Sequence, residues 1–171
     1  MNRSTEQFAE TLERHQGRVF SIAFRIIGET GAAEEVVQDV FLQLHRQLPR
    51  LQSEDHVTAW LRRVTCHRAT DALRRRVCRG GSAADELNEE MAHAPLPRAS
   101  SPLMNRVEQL LLTLPVAQRT VILLRYQEDM DPEDIAIELA MPQATVRSHL
   151  QRALKLLRAK AERTLKEYVR E

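Results

Sequence analysis

The chain has 171 residues, of which 43% are hydrophobic but only 4% aromatic, and its formal net charge is +1. That length suits one medium domain or two small ones, with a core built mainly of Leu, Val, Ile and Ala. No stretch approaches the ~20 apolar residues of a membrane span, the N-terminus shows no secretion signal, and Cys66 and Cys78 read as reduced thiols of a cytosolic protein.

Gly and Pro are scarce and clustered, which favours helices over a turn-rich β protein. Phe8, Leu12, Val19, Phe20, Ile22, Ala23, Ile26 and Ile27 predict a first helix ending near Gly28. In "ETGAAEEVVQDVFLQLHRQL", Val36, Val37, Val40, Phe41, Leu44 and Leu48 recur at three- and four-residue steps. That period predicts an amphipathic helix whose other face carries Glu34, Glu35, Gln38, Asp39 and Gln43. Pro49 stops it, and "RLQSED" is a polar loop. A third long helix follows, with Val57, Trp60, Leu61, Val64, Ala69 and Leu73 on one side, arginines on much of the rest, and room for a separate short piece near Val57.

From Arg79 to Pro102 the composition changes to Gly-Gly, three prolines, small residues and the acids Asp85, Glu86, Glu89 and Glu90. This reads as a flexible linker, with a turn of helix at Asp85 to Met91 at most. Val107, Leu110, Leu111 and Leu114 restore a helical period closed by Pro115, which also suits the first turn of the next helix. That helix carries Val121, Ile122, Leu124 and Tyr126. Asp131 is placed as an N-cap before Pro132, with Asp134 three residues on and Ile135, Ala136 and Leu139 facing inward. The short break "AMPQA" then leads into a last helix, which is the layout of a helix-turn-helix. Its apolar face is Val146, Leu150, Ala153, Leu154 and Leu157, and Arg147, Ser148, Gln151, Arg152, Lys155 and Arg158 lie opposite. The expected fold is therefore all-α: two small helical domains joined by a flexible linker, the C-terminal one containing a helix-turn-helix.

The net charge hides an alternation. From Glu29 to Asp55 six acids face Arg46 and Arg50, and from Arg62 to Arg79 seven arginines face Asp71. From Asn105 to Ala140 seven acids face three arginines, and from Met141 to Arg170 eight basic residues face Glu162 and Glu167. Two basic surfaces suggest a polyanion, and two acidic ones suit a basic partner. In a helix-turn-helix the second helix enters the major groove, its N-terminal residues near base edges. Gln143, Arg147 and Ser148 lie at that end. Arg pairs bidentately with guanine and Gln with adenine, while Arg152 and Lys155 suit phosphates.

Nothing in the chain reads as a catalytic or metal centre. There is no P-loop, no G-x-S-x-G and no H-E-x-x-H. Glu34–Glu35 and Asp131–Asp134 fit solvated acids at helix starts, and Cys66, His67, Cys78 and His93 match no zinc-finger spacing. No cofactor is implied. Two further readings compete at this point: a stand-alone, dimeric DNA-binding regulator, and a pure protein-interaction module such as an antagonist.

The words "AAEEVVQDVFLQLHRQL" and "AWLRRVTCHRATDALRRR", followed by "LLLTLPVAQRTVILLRYQEDMDPEDIAIELAMPQATVRSHLQRALKLLR", resemble the sigma-70 family. The likeness is to its short two-domain group, the extracytoplasmic function (ECF) sigma factors, and covers nearly the whole chain outside the linker. It implies a cytoplasmic, non-enzymatic transcription initiation factor of the stress-response type. Its partners would be core RNA polymerase (the beta and beta-prime subunits), promoter DNA, both duplex and melted non-template strand, and for many members an anti-sigma factor. The resemblance implies a polymerase- and minus-ten-binding domain at 1–78, a linker at 79–104 that threads the polymerase channel, and a minus-thirty-five-binding domain at 105–171.

Residue by residue, Glu35, Gln38 and Asp39 match the helix laid against the polymerase clamp, with Phe41 packing inside. Trp60, Arg62, Arg63, His67, Asp71, Arg74 and Arg75 match the minus-ten surface, and the loop Leu51 to His56 matches the one that receives an extruded base. Gln143, Thr145, Arg147, Ser148, Arg152 and Lys155 match the minus-thirty-five reader. The chain departs from the family pattern at His67, where Asn is frequent, at Val57, where an aromatic is frequent, at Ala140 in place of a turn glycine, and at His149 in place of a basic residue.

Overall fold

The computed structural model describes residues 3–80 and 102–168, with side chains at 5–76 and 105–163. Among the described residues all regular structure is helical, and the chain divides into two compact units, Met1–Arg79 and Gly80–Glu171.

The first unit opens with α1 (Arg3–Ile27). It stops where expected: Gly28 takes φ 80°, a left-handed conformation that glycine adopts without a Cβ penalty, and donates to the Phe24 carbonyl at 2.6 Å. α2 (Thr30–Gln47) starts on a cap the periodicity did not announce. The Glu29 carboxylate accepts from the backbone N–H groups of Gly31 and Ala32 at 2.7 and 2.8 Å. A Cβ on Gly31 would come within 2.9 Å of that carboxylate, so a larger residue there would make the Glu29 side chain shift. Pro49 does not simply end α2; it sits in a short 3-10 turn, Leu48–Arg50. α1 and α2 pack on each other, and Val19, Ile22, Ile26, Ile27, Val36, Val40 and Leu44 on them are all buried. Each such side chain contributes roughly 1.5–3 kcal/mol.

α3 (Glu54–Gly80) is one unbroken helix, so no separate piece forms near Val57. Ser53 starts it: its Oγ accepts from His56 N–H at 3.2 Å and its carbonyl from Val57 N–H at 3.0 Å. α3 contributes Val57, Leu61, Cys66, Ala69 and Leu73 to the buried set, and Cys66 is not part of a disulfide. The helix continues to Gly80, past the expected start of the linker; the possible turn at Asp85 to Met91 and the rest of the linker to 101 lie outside the described residues, as do the side chains of Cys78 and His93.

The second unit contains α4 (Pro102–Leu112), α5 (Val116–Tyr126), α6 (Pro132–Glu138) and α7 (Gln143–Tyr168). α7 packs against the other three. Leu114, Ile122 and Ala153 form a buried cluster edged by Leu111, Leu150 and Leu157. Leu154 does not join it and is 43% exposed. It lies about 80° from Val146 and about 100° from Ala153 around the helix, at the margin of the stripe. Pro115 is the residue before α5 rather than its first-turn residue. Asp131 does precede Pro132, but its side chain caps nothing; Oδ1 instead faces Arg125 Nη1 at 3.2 Å. On α6, Ile135 is buried, Ala136 and Leu139 are half-buried, and Ile137 is 71% exposed.

The largest surprise for a periodicity argument is Arg119. Its side chain is wholly buried, with Nη2 donating to the carbonyls of Leu112 and Leu114 at 2.6 and 2.9 Å. It thereby satisfies two carbonyls that the end of α4 leaves without helical partners. Burial lowers the guanidinium to about 10, which keeps it charged at neutral pH.

Candidate polymerase and nucleic-acid interfaces

On α2, Glu35, Gln38, Asp39 and Leu42 recur at three-, one- and three-residue steps and are all exposed, so they share one outward face. Among the described residues, Glu34, Glu35, Gln38 and Asp39 have no hydrogen bond or ion pair. Phe41 is buried, as expected. Leu42 was missed by the sequence reading and is 63% exposed beside these acids. A helix-wheel count would have found it, because Leu42 is one turn beyond Gln38 and Asp39. The face is therefore acidic with one apolar residue, suited to a basic surface that also offers apolar contact.

α3 carries the first basic set. Arg63, His67, Asp71 and Arg74 are exposed at steps of four, four and three residues and form one outward stripe. Trp60 is half-buried at its N-terminal end. Arg62 is half-buried about 100° round the helix from Arg63, so it does not join the stripe. Several of the cations are engaged within the unit. Arg76 Nη1 meets Glu29 Oε2 at 2.9 Å, Arg75 Nε donates to the Asp71 carbonyl at 3.3 Å, and Arg74 lies 4.0 Å from Asp71 Oδ1. The Gln43 amide, with its oxygen toward the guanidinium, accepts from Arg68 Nε at 3.0 Å and so joins α2 to α3. Arg62 and Arg63 also take part in intramolecular contacts.

The loop before α3 borders a cavity of about 250 Å³. Leu48, Leu51 and Val57 line it with apolar surface, and Gln7, Glu10, Arg14, Gln52 and Glu54 bring polar groups. Glu54 is held from α1: His15 Nε2 donates to its Oε1 at 2.7 Å and Arg14 Nη1 lies 3.1 Å away. These two contacts, His15 first, keep the Glu54 carboxyl below its ordinary range against a smaller desolvation effect. The same ties fix where the loop enters α3.

In the second unit α6, a four-residue turn and α7 form the helix-turn-helix. Ala140 in that turn has φ 51°, in the left-handed region that favours glycine. α7 turns Val146 and Ala153 fully inward and exposes Arg147, Arg152, Lys155 and Arg158, none of which has a polar partner among the described residues. Ser148 and Thr145 are half-buried. Gln143 is half-buried too, and its Nε2 donates to Glu133 Oε1 on α6 at 2.9 Å.

The family descriptions "Sigma-70 region 2" and "Sigma-70, region 4" match residues 11–78 and 104–157, together more than half of the chain. The chain belongs to the sigma-70 family. Among its relatives is the ECF RNA polymerase sigma factor SigW of Bacillus subtilis, 23% identical over 164 residues that cover 90% of this chain and 88% of SigW. The ECF sigma factor SigK of Mycobacterium tuberculosis is 27% identical over 159 residues, covering 88% of this chain and 83% of SigK. The fold resembles that of the sigma factor RpoE of Bartonella quintana, solved in complex with the anti-sigma factor NepR, at a TM-score of 0.71 and 20% identity over 92% of this chain and 98% of that one.

This ECF sigma factor directs promoter-specific transcription initiation as a partner of core RNA polymerase. That decides against the stand-alone regulator and the antagonist. The family likeness also gives the positive φ at Ala140 a meaning: the backbone keeps the shape of the usual turn glycine although the residue is alanine. His149, at a position often basic in sigma factors, is half-buried on α7 with its Nδ1 enclosed and unbonded, so it faces the unit more than a groove. Among the described residues, no helix of this sigma factor is long and apolar enough to cross a membrane.

Proposed function

We propose a division of labour among the helices. The α2 face of Glu35, Gln38, Asp39 and Leu42 docks on the clamp of core polymerase. α3, with Trp60, Arg63, His67, Asp71, Arg74 and Arg75 and with Arg62 beside them, engages and opens the minus-ten element. The cavity under the loop at Leu51 to His56 receives an extruded non-template base, and hydrogen bonds from its polar lining, Gln7, Arg14, Gln52 and Glu54 among it, offset the few kcal/mol that unstacking costs. α7 enters the minus-thirty-five major groove, Arg147 and Ser148 toward base edges, Arg152 and Lys155 toward phosphates, with Gln143 and Thr145 flanking its start. In this reading residues 1–78 form the polymerase and minus-ten domain, 79–104 a linker and 105–171 the minus-thirty-five domain. The protein makes and breaks no covalent bond, acts in the cytoplasm, and is held inactive by an anti-sigma factor, as RpoE of Bartonella quintana is found with NepR.

One observation carries most of this. The acids Glu34, Glu35 and Asp39 of α2 and the cations Arg147, Arg152, Lys155 and Arg158 of α7 have no polar partners among the described residues of their own units. Charge left uncompensated on a helix face is available to an outside partner.

The test is co-purification of the chain with core RNA polymerase, followed by run-off transcription on a promoter library. Tight binding with transcripts from one shared two-element promoter is the expected result. Absence of polymerase binding, with specific duplex binding by the chain alone, would overturn the assignment of the α2 face.

A further inference from the structure

We propose that Gln151, rather than Gln143, reads an adenine in the minus-thirty-five element, one or two base steps from the base read by Arg147. The inference rests on the reading of α7 as the groove helix.

The first argument is orientation. Val146 and Ala153 are fully buried and fix how α7 is rotated on its unit. At ~100° per residue, Ala144, Arg147, Ser148, Gln151, Lys155 and Arg158 then fall in an outward arc ~100° wide. Gln151 lies about 20° from Ala144, close to the middle of that arc. Gln143 and Thr145 lie about 100° to either side of Ala144, on the flanks. Exposure agrees: Ala144, Arg147 and Gln151 are exposed, whereas Gln143 and Thr145 are half-buried.

The second argument is hydrogen-bonding capacity. In the major groove adenine presents an acceptor at N7 and a donor at N6, which a primary amide matches with its N–H and its oxygen together. Both ends of the amide must be available. Gln143 has its nitrogen turned to Glu133 on α6 at 2.9 Å, and a carboxylate there can only accept, so one of the two Gln143 amide N–H groups is already engaged within the unit. Gln151 has no hydrogen bond to any described residue. Its whole amide faces outward between Arg147 and Lys155.

The third argument is reach. Four residues of helix advance about 6 Å, and bases on one strand are about 3.4 Å apart. Arg147 and Gln151 therefore meet neighbouring base steps rather than the same one. The recognised sequence contains a guanine, for Arg147, and an adenine close to it.

The experiment uses holoenzyme assembled from core polymerase and the full chain, with transcription measured from promoters randomised across the minus-thirty-five element. Wild type, Gln151→Ala, Gln143→Ala and Arg147→Ala are compared. Gln151→Ala is expected to lower discrimination for adenine about 5- to 100-fold at one position and to leave the other positions unchanged. Gln143→Ala should keep that adenine preference. A loss spread evenly over all positions, or loss of the adenine preference in Gln143→Ala instead, would overturn the proposal. If Arg147→Ala relaxes a position while Gln151→Ala relaxes none, Gln151 alone is wrong. If neither variant changes any position, the groove assignment of α7 is wrong and this proposal falls with it. Thermal unfolding of each variant separates these outcomes from loss of folding.

Discussion

α3 and α7 come from stretches of equal formal charge but hold that charge differently. On α3, Arg68 is tied to Gln43, Arg75 to the Asp71 carbonyl and Arg76 to Glu29, while Arg62 and Arg63 have contacts of their own. On α7, Arg147, Arg152, Lys155 and Arg158 have no polar partner among the described residues. A count of basic residues measures potential attraction to a polyanion, whereas partners decide how much of it is available. The α3 arginines brace helices as well as facing outward. The α7 cations face outward only, and each one that displaces a counterion on DNA steepens the salt dependence of binding by about 0.9.

The comparison breaks most visibly if a buried arginine is removed. Arg119→Met should destabilise the second unit by about 3–5 kcal/mol, because the carbonyls of Leu112 and Leu114 lose their donor inside the fold. Denaturant unfolding followed in the second unit would register this, and a change below about 1 kcal/mol would contradict the bracing role. Next in size, Asp39→Arg reverses a charge on an uncompensated face. Polymerase affinity should fall at least about tenfold while the unfolding midpoint stays within the small range of surface substitutions. Leu42→Ala should weaken the same binding less, by roughly 1 kcal/mol, for lost apolar contact.

The α3–α7 contrast itself is sharpened by a matched pair of variants. Lys155→Ala should leave stability unchanged and reduce the salt slope of holoenzyme–promoter binding by about 1. Arg76→Ala should do the reverse, with a stability loss below about 1 kcal/mol for so exposed a pair and little change in slope. Acid separates them too. Glu29 sits below the ordinary carboxylate range, mainly because Ala32 N–H donates to it, with Gly31 and Arg76 adding to the effect. Its contribution is thus complete above its unfolded value of 4.5 and disappears as pH falls through the lower folded value. Acid unfolding of Arg76→Ala should begin at slightly higher pH than that of wild type. The smallest expected effect is a gain: Ala140→Gly relieves φ 51° and should stabilise the second unit by about 0.5–1 kcal/mol. A loss of stability would mean the alanine methyl has packing of its own.

Much of the fold was legible because apolar period is a strong signal. Ile22, Ile26 and Ile27, Val36, Val40 and Leu44, and Val146 and Ala153 repeat at helical steps, and all are buried. What stayed hidden was chemistry that runs against the usual sign of a residue. Arg119 and Glu138 are charged and read as surface, yet both are buried. Glu29 reads as one more acid in an acidic stretch, yet it starts α2. Gln143 sits at the N-terminal end of α7, where the sequence reading expects recognition, and only the structure shows its amide bonded to a residue ten positions earlier. Leu42 failed in the opposite direction, an apolar residue in a buried-looking run that proves to face outward. Long-range partners and rotation about the helix axis are three-dimensional facts, and residue type reports them only on average.

One oxygen of Glu29 gives these helices a shared mechanics. Oε2 receives Ala32 N–H at 2.8 Å and Arg76 Nη1 at 2.9 Å, so the first turn of α2 and the last described side chain of α3 meet at a single atom. That shared atom links the two helices through one exposed contact. Protonating Glu29 would therefore loosen the start of α2 and release Arg76 together, so one proton reaches both helices.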